Sequence, residues 1–489
     1  MQVTRGMARG AAWMLAARLV DKVLGLLSTL FLARLLVPED FGLVAIATAV
    51  IAFLALLANF SFEVALIQHP APNRGHYDTV WTIGLIFGVA IALVLIAISY
   101  PLASFYNEPR LVAIMPVLAL SALLGQLHNV GCVDFSRNLQ FHKEFLLSLY
   151  RRILTVPITI ALAYWLRDYW ALIWGAAVTA AVGTLLTYAM HPFRPRWSLA
   201  YKAELFGFSK WLFLSNLLQF VYLRAGDFII GKLRGAYELG LFTMANEFGS
   251  LPATELVAPI NRAAFPGYSR LASDRANLIE VYLRVMGLIA LVALPVGVGI
   301  ALTAEIFVPL LLGSKWVGAI PLLQLMALAG AIVALWSNTS YVFLAIGRPG
   351  RVTMLSGFQA TTTVMFLIGF LLLDMQNGVG WAILAAAVAF AASNLYVSHV
   401  DLKIGWRNAF AALYRPAIGC AALVISVVWI QALLGPPAAL VEELLALGLS
   451  IAVGAAGYTV AVLAAWWLSG RPAGPESYAV ELMRKWRLR

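Results

Sequence analysis

The sequence predicts an all-α membrane protein that crosses the bilayer about fourteen times. Of its 489 residues, 62% are hydrophobic and only 12% are charged, whereas soluble domains contain about 25% charged residues. Apolar runs long enough to span a bilayer recur along the whole chain and are separated by turn residues and charged loops. The predicted spans are 11–36, 41–67, 79–103, 110–133, 149–167, 169–190, 207–232, 238–262, 278–304, 316–346, 351–373, 378–400, 409–434 and 441–468.

The distribution of basic residues predicts the orientation. With the N-terminus inside, 24 of the 34 Lys and Arg residues fall in inside segments and 6 in outside segments, and 4 lie within spans. Short cytoplasmic loops carry such an excess. Both termini are therefore predicted to be cytoplasmic, and the net charge of +11 is assigned to loops beside anionic lipid rather than to nucleic-acid binding.

The first span is unusual because it contains three charged residues. Arg18, Asp21 and Lys22, together with Gly25, fall within an arc of about 100° on a helix, and the opposite face is apolar. A charge at mid-bilayer costs at least about 2.5–3.5 kcal/mol. The charged stripe is therefore predicted to face a polar cavity or partner side chains.

The chain repeats itself with a shift of 198 residues, which places Leu35–Leu43 on Leu233–Leu241. Span 7 then corresponds to span 1 in the same orientation, which predicts two six-helix lobes related by a pseudo-two-fold axis along the membrane normal. The predicted divisions are an N-lobe (1–190), a cytoplasmic linker (191–206), a C-lobe (207–400), two further helices (401–470) and a basic cytoplasmic tail (471–489).

Span 7 carries a second polar stripe. Asn216, Gln219, Arg224 and Asp227 fall within an arc of about 140°. Facing the stripe of span 1, it would form a cationic cavity suited to an anionic head group, because Arg binds phosphate oxygens bidentately. The alternative is local ion pairing, Arg18 with Asp21 and Arg224 with Asp227, as structural support.

Ion coupling has three candidate residues. Glu247, Glu255 and His128 lie within predicted spans, where a buried carboxyl group or imidazole can exchange a proton. The alternatives are that the carboxylates cap helices or pair with arginines and that His128 is a hydrogen-bonded packing residue. Glu63, near the cytoplasmic end of span 2, is assigned to capping or pairing.

Enzymatic signatures are absent from the sequence. It contains no phosphate-binding loop, H-E-x-x-H, paired Cys-x-x-Cys or G-x-S-x-G motif. The sequence therefore predicts a transporter with no cofactor and no metal site. Two alternatives remain: a cation-coupled multidrug exporter, which would need an acidic cavity, and a membrane polysaccharide polymerase or ligase, which would need a larger outer loop.

The opening helix pair resembles that of Wzx-type polysaccharide flippases of the multidrug/oligosaccharidyl-lipid/polysaccharide (MOP) exporter superfamily. The resemblance is carried by Ala33–Gly42 and its counterpart Gly231–Gly240. Ala264–Leu271 is similar to the corresponding stretch of the colanic-acid and teichuronic-acid exporter branch.

The resemblance implies two lobes that alternate access to a central cavity. The implied cargo is an oligosaccharide repeat unit on undecaprenyl pyrophosphate, which the protein flips across the bacterial inner membrane for surface polysaccharide synthesis. Arg18, Lys22 and Arg224 lie where related lipid II flippases have cavity arginines, and Asp21 and Asp227 depart from that pattern. The expectation is a monomer that binds the pyrophosphate through these cations and the sugar hydroxyls through Asn59, Asn216 and Gln219, beside polymerase and glycosyltransferase partners.

Overall fold

The fold was analysed on a computed structural model that describes residues 20–58, 62–69, 71–435 and 439–471. Every regular element among these residues is helical, and none is a strand, which confirms the all-α prediction. The chain forms two compact units, Met1–Gly240 and Leu241–Arg489. The predicted domain limits of 190 and 206 stay a prediction.

The first unit begins with α1, which the structure describes over residues 20–35. A short 3₁₀ helix, Val130–Cys132, follows α6. The α-helices after α1 are α2 (Pro38–Ala58), α3 (Phe62–Gln68), α4 (Arg74–Ala97), α5 (Ser99–Tyr106), α6 (Leu111–Gln126), α7 (Val133–Arg137), α8 (Phe141–Leu166), α9 (Trp170–Met190) and the first part of α10 (Lys202–Gly249).

The second unit begins within α10 and packs around a core of buried side chains from α12, α13 and α15. Single π-helical turns cover Pro252–Val257 and Val308–Leu312, and a 3₁₀ helix covers Ser314–Ala319. The remaining α-helices are α11 (Ala258–Arg270), α12 (Arg275–Phe307), α13 (Ile320–Ala345), α14 (Pro349–Leu372), α15 (Gly378–Leu402), α16 (Trp406–Leu434) and α17 (Leu440–Leu468).

The predicted breaks between spans coincide with real ones. Helix α2 begins at Pro38, α14 begins at Pro349, and Gly235 interrupts α10 with φ 81°. Among the described residues, ten helices are long and apolar enough to cross a membrane, or eleven if the pair bent by 54° at 127–129 counts as one span. The chain is therefore a multi-pass membrane protein, and the count of fourteen stays a prediction.

The two repeat segments cross each other at a pair of glycines. A Cβ atom at Gly42 would lie 1.7 Å from the carbonyl oxygen of Ala236, and one at Gly240 would lie 1.8 Å from that of Pro38. The 198-residue shift exchanges Gly42 with Gly240 and Pro38 with Ala236. The two contacts are therefore reciprocal, as an internal two-fold relation requires, and only glycine permits this approach.

Residues 191–204, here called the linker strap, lie along α4 and are hydrogen-bonded to it. The backbone N–H of Arg196 donates to Asp78 Oδ1 at 2.8 Å, and that of Ser198 donates to Thr82 Oγ1 at 3.1 Å. Both acceptors are buried side chains of α4. The strap thus obtains from α4 the hydrogen bonds that a non-helical backbone needs.

The beginning of the linker strap is held by the bend after α6. The side-chain amide of Asn129 donates to the carbonyl oxygens of His191 at 3.1 Å and Phe193 at 2.8 Å. A Cβ atom at Gly131 would lie 2.3 Å from His191 Nδ1. The strap is therefore an integral part of the first unit.

The glycine crossing predicts the effect of a single methyl group. Gly42→Ala should lower the free energy of unfolding by about 1–3 kcal/mol, because the backbone carbonyl of Ala236 must be displaced. Thermal unfolding in detergent measures the change. The control is Gly357→Ala in α14, where no atom lies within 4 Å of the new Cβ. Equal stability of the two variants would contradict the crossing.

Candidate functional site

Asp21 of the charged first helix pairs with α8. Arg152 Nε donates to Asp21 Oδ1 at 2.5 Å, and Arg152 Nη2 donates to Oδ2 at 3.0 Å, so both carboxylate oxygens are engaged. Gly25, one turn further along α1, leaves room for the guanidinium, whose Nη2 would be 3.9 Å from a Cβ there. Asp21 therefore binds a cation 131 residues away, and the local pairing with Arg18 is not needed to explain it.

Helix α8 explains why this partner was missed. The predicted span began at residue 149, and Arg151 and Arg152 were counted with the cytoplasmic loop. The helix begins instead at Phe141, which places both arginines inside it. Two consecutive arginines within a helix point to different sides. Arg152 pairs with Asp21, and Arg151 lines the cavity described below.

The stripe of α10 contains the predicted local ion pair. Arg224 Nη1 donates to Asp227 Oδ2 at 2.9 Å. Asp227 is buried, whereas the side chain of Arg224 is 43% exposed. The Arg224–Asp227 pair is thus confirmed as a contact, and the guanidinium keeps an accessible side.

Several predicted residues cannot be placed in a site. Arg18 and Asn59 lie outside the described residues, and the same holds for the side chains of Asn216 and Gln219. The prediction that the two stripes face each other across a cavity therefore stays a prediction.

The first unit contains an open cavity of about 780 Å³. It is bounded by α2, α3, α6, α8, α9 and the bend between α6 and α7. The polar side chains that line it are those of Thr48, Glu63, Ser121, His128, Asn129, Cys132, Ser136, Glu144, Arg151, Thr179, Thr184 and Thr187. Of the predicted site residues in the described part of the chain, His128 alone lines it.

A histidine–carboxylate pair lies at this cavity. His128 Nε2 is 2.8 Å from Glu63 Oε1, and His128 Nδ1 is 2.9 Å from the carbonyl oxygen of Gly125. Because a lone carbonyl contact requires a hydrogen on Nδ1, protonation of the ring at Nε2 produces an ion pair with Glu63. The pair joins α3 to the bend after α6, so a proton here changes a contact between two elements.

The cavity contains two further charged groups. Arg151 lines it from α8, and a Cβ atom at Gly183 would lie 3.3 Å from Arg151 Cδ, so α9 leaves room for that side chain. Glu144 lies about two turns nearer the start of α8 and accepts a hydrogen bond from Ser136 Oγ. Sequence reasoning identified none of Glu63, Glu144 and Arg151 as cavity residues.

The other two coupling candidates belong to the second unit. Glu247 lies in the last turns of α10, and Glu255 lies in the π-helical turn Pro252–Val257. Both are half-buried. A π-turn is frequent at functional sites, and a coupling role for either carboxylate stays a prediction.

A family model described as polysaccharide biosynthesis protein matches residues 31–321. The chain belongs to this family. It is similar to the succinoglycan biosynthesis transport protein ExoT of Rhizobium meliloti (strain 1021), with 24% identity over 93% of this chain and 92% of that protein. It is also similar to the lipopolysaccharide biosynthesis protein WzxC of Escherichia coli (strain K12), with 23% identity over 73% of each chain.

Two solved structures share the fold. The inward closed conformation of the lipid II flippase MurJ matches with a TM-score of 0.71 at 12% identity, covering 92% of this chain and 98% of that one. An inward-facing multidrug resistance MATE family transporter of the MOP superfamily matches with a TM-score of 0.59 at 17% identity, covering 78% and 95%. The predicted polysaccharide biosynthesis family and the predicted all-α transporter fold are confirmed.

The Asp21–Arg152 pair predicts a measurable coupling. Asp21→Ala and Arg152→Ala should each lower the free energy of unfolding because each leaves the other charge unpaired, and the double variant should lose less than the sum. The coupling energy should be about 0.5–3 kcal/mol in a double-mutant cycle measured by unfolding in detergent.

A surface pair provides the comparison. Arg284 and Glu280 form an exposed i,i+4 pair on α12, and the same cycle there should give about 0–1 kcal/mol. Strict additivity at Asp21 and Arg152 would show that their contact contributes no stability.

Proposed function

We propose that the chain flips undecaprenyl-pyrophosphate-linked oligosaccharide repeat units across the bacterial inner membrane for surface polysaccharide synthesis. The observation that carries this is the similarity to a succinoglycan biosynthesis transport protein along 93% of the chain. The shared fold of a lipid II flippase supports it. The two units would alternate access to the cargo from the cytoplasmic and outer sides.

The charges of α1 and α10 suit a pyrophosphate. Asp21 is held by Arg152 of α8 through both of its oxygens. Its negative charge is therefore matched by a cation of α8, and we assign Arg18 and Lys22 to the binding of phosphate. Together with the accessible side of Arg224 they would bind phosphate oxygens, and Asn59, Asn216 and Gln219 would bind sugar hydroxyls.

The cations predict an export defect. Lys22→Ala, Arg18→Ala and Arg224→Ala should each reduce flipping about tenfold or more, because each removes a charge-assisted hydrogen bond of about 1.5–3 kcal/mol. The measurement is the appearance of lipid-linked oligosaccharide on the opposite leaflet of vesicles containing the purified protein. Arg270→Ala, at an exposed position of α11, is the matched control.

Protein content of the vesicles separates loss of binding from loss of insertion. Unchanged flipping by all three variants at equal protein content would contradict the cationic site. Unchanged flipping by one variant would remove that residue from it.

We place both termini in the cytoplasm on the basis of the 24-to-6 distribution of basic residues. In this proposal, glycosyltransferases make the lipid-linked repeat units on the cytoplasmic side of the membrane, and a polymerase joins them on the outer side. The protein would act between these partners, as a monomer.

The pair of Glu63 and His128 is the coupling site that the described geometry favours. Both line the cavity of the first unit at a separation of 2.8 Å. The other charged groups of the cavity, Glu144 and Arg151, bring its formal charge near zero when the pair is ionised. Uptake of one proton by Glu63 would replace the ion pair with a weaker neutral hydrogen bond and so weaken the contact between α3 and the bend after α6.

This assignment predicts the loss of gradient dependence. Glu63→Gln should retain a hydrogen bond to His128 but no ionisation, so flipping should become independent of an imposed proton gradient. His128→Gln should have the same effect. Glu247→Gln and Glu255→Gln are the comparison variants. Loss of gradient dependence in either of these, with the cavity variants unaffected, would move the coupling site to the second unit.

A further inference from the structure

Two histidines and a glutamate converge where the linker strap enters α10. His69 Nε2 is 3.0 Å from Glu204 Oε1, and His76 Nε2 is 3.5 Å from Glu204 Oε2. One ligand atom from each of the three residues lies within 4.8 Å of the others. His69 follows α3, His76 lies in the first turn of α4, and Glu204 lies in the first turn of α10.

The ring of His76 is held rigidly. Its side chain is 5% exposed, and Tyr201 stacks on it with 3.8 Å between the ring centroids. Asn73 Oδ1 lies 2.9 Å from Nδ1, and the Asn73 side-chain amide donates to Tyr201 at 2.7 Å. The position of the ring is thus set by Tyr201 on one face and by Asn73 at one edge.

The other ring nitrogen of His76 is a buried atom without a hydrogen bond. Nε2 makes none, although it lies toward the carboxylate of Glu204. Nδ1 also accepts a hydrogen bond from the Asn73 backbone N–H at 3.2 Å. When Nδ1 instead carries the ring hydrogen and donates it to Asn73 Oδ1, the lone pair of Nε2 points into the cluster. A histidine that binds a metal typically donates its second ring N–H to an oxygen in this way.

We propose that His69, His76 and Glu204 form a binding site for one divalent transition-metal ion of the zinc class. Two imidazole nitrogens and one carboxylate oxygen are ligands that Zn²⁺, Co²⁺ and Ni²⁺ share. The two distances of 3.0 and 3.5 Å to Glu204 bracket the separation of about 3.3 Å expected between ligand atoms around a tetrahedral zinc ion. Three protein ligands and a half-exposed Glu204 leave the remaining position to water.

Binding requires that both rings carry their hydrogen on Nδ1, and each Nδ1 accepts a backbone N–H at 3.2 Å in the metal-free protein. His69 Nδ1 accepts a hydrogen bond from the Ala71 backbone N–H at 3.2 Å, so in the metal-free protein the ring hydrogen is on Nε2 and donates to Glu204. The hydrogen must move to Nδ1 before Nε2 can bind a metal. The long contact with Ala71 is then exchanged for a metal–nitrogen bond.

The ion would join two segments of the chain that are distant in sequence. His69 and His76 belong to the α3–α4 connection, whereas Glu204 lies 128 residues after His76 at the end of the linker strap. Bound metal would therefore fasten the strap to the start of α4 more firmly than the hydrogen bonds do. The site is separate from the cations and the cavity assigned to flipping, and it does not rest on the proposed function.

The test is titration of the purified full-length protein, freed of any affinity tag, with Co²⁺ in detergent. We expect one equivalent to bind, to show the visible absorption of tetrahedral cobalt and to be displaced by Zn²⁺. Glu204→Gln, His69→Ala and His76→Ala should each weaken binding at least about 10- to 100-fold. The control is His142→Ala, because His142 lies on α8 outside the cluster.

Folding is monitored separately because His76→Ala also removes the capping contact with Asn73. Glu204→Gln changes a half-exposed side chain without loss of size, so its thermal unfolding in the absence of metal should match that of the wild type. Zn²⁺ should raise the unfolding temperature of the wild type and not that of Glu204→Gln. Absence of a tight equivalent, or equal binding by Glu204→Gln, would overturn the proposal.

Discussion

The structure of the first unit depends on the cost of placing an ionised side chain among apolar helices. Asp21, Arg152, Arg224 and Asp227 all lie in helices surrounded by hydrophobic residues, where an unpaired charge is expensive. Each has an oppositely charged partner within 3.0 Å. The Asp21–Arg152 pair also joins two helices, α1 and α8, whereas the Arg224–Asp227 pair lies within α10. Charge pairing therefore provides specificity in a chain whose apolar contacts are otherwise interchangeable.

A second constraint acts at the repeat. The acid-x-Gly segments that open α2 and the second part of α10 are the most similar stretches of the two halves, and they cross each other through Gly42 and Gly240. Each glycine lies against a backbone carbonyl of the other segment, a contact that shape alone can provide. The similarity between the halves is thus retained at the point where they touch. The residues proposed to bind the cargo differ between the halves, because the 198-residue shift places Arg18 on Asn216.

Local sequence patterns predicted the helices and the breaks between them. They did not predict the contacts between residues that are distant in sequence. The breaks at Pro38, Gly235 and Pro349 were predictable because proline and glycine act on the backbone within a few residues. Arg152 is 131 residues from Asp21, and His128 is 65 residues from Glu63, so no periodicity connects them. One signal was available in the sequence. Arg151 and Arg152, beside an apolar run, resemble a loop, but the residues before them continue the helical pattern back to Phe141. The count of fourteen spans stays a prediction, and length and composition do not reveal bent helices such as the one at 127–129.

The linker strap has a mechanical consequence. Fourteen extended residues would reach roughly 46–50 Å, and a free segment of that length would let its two ends move independently. The backbone of residues 191–204 is hydrogen-bonded to Asp78 and Thr82, and the end of the segment lies against His69 and His76. The two ends of the segment therefore have little freedom to move independently. A displacement of the first turn of α10 is therefore transmitted to α4 as a pull or a push. The segment is a stiff connection between these two helices.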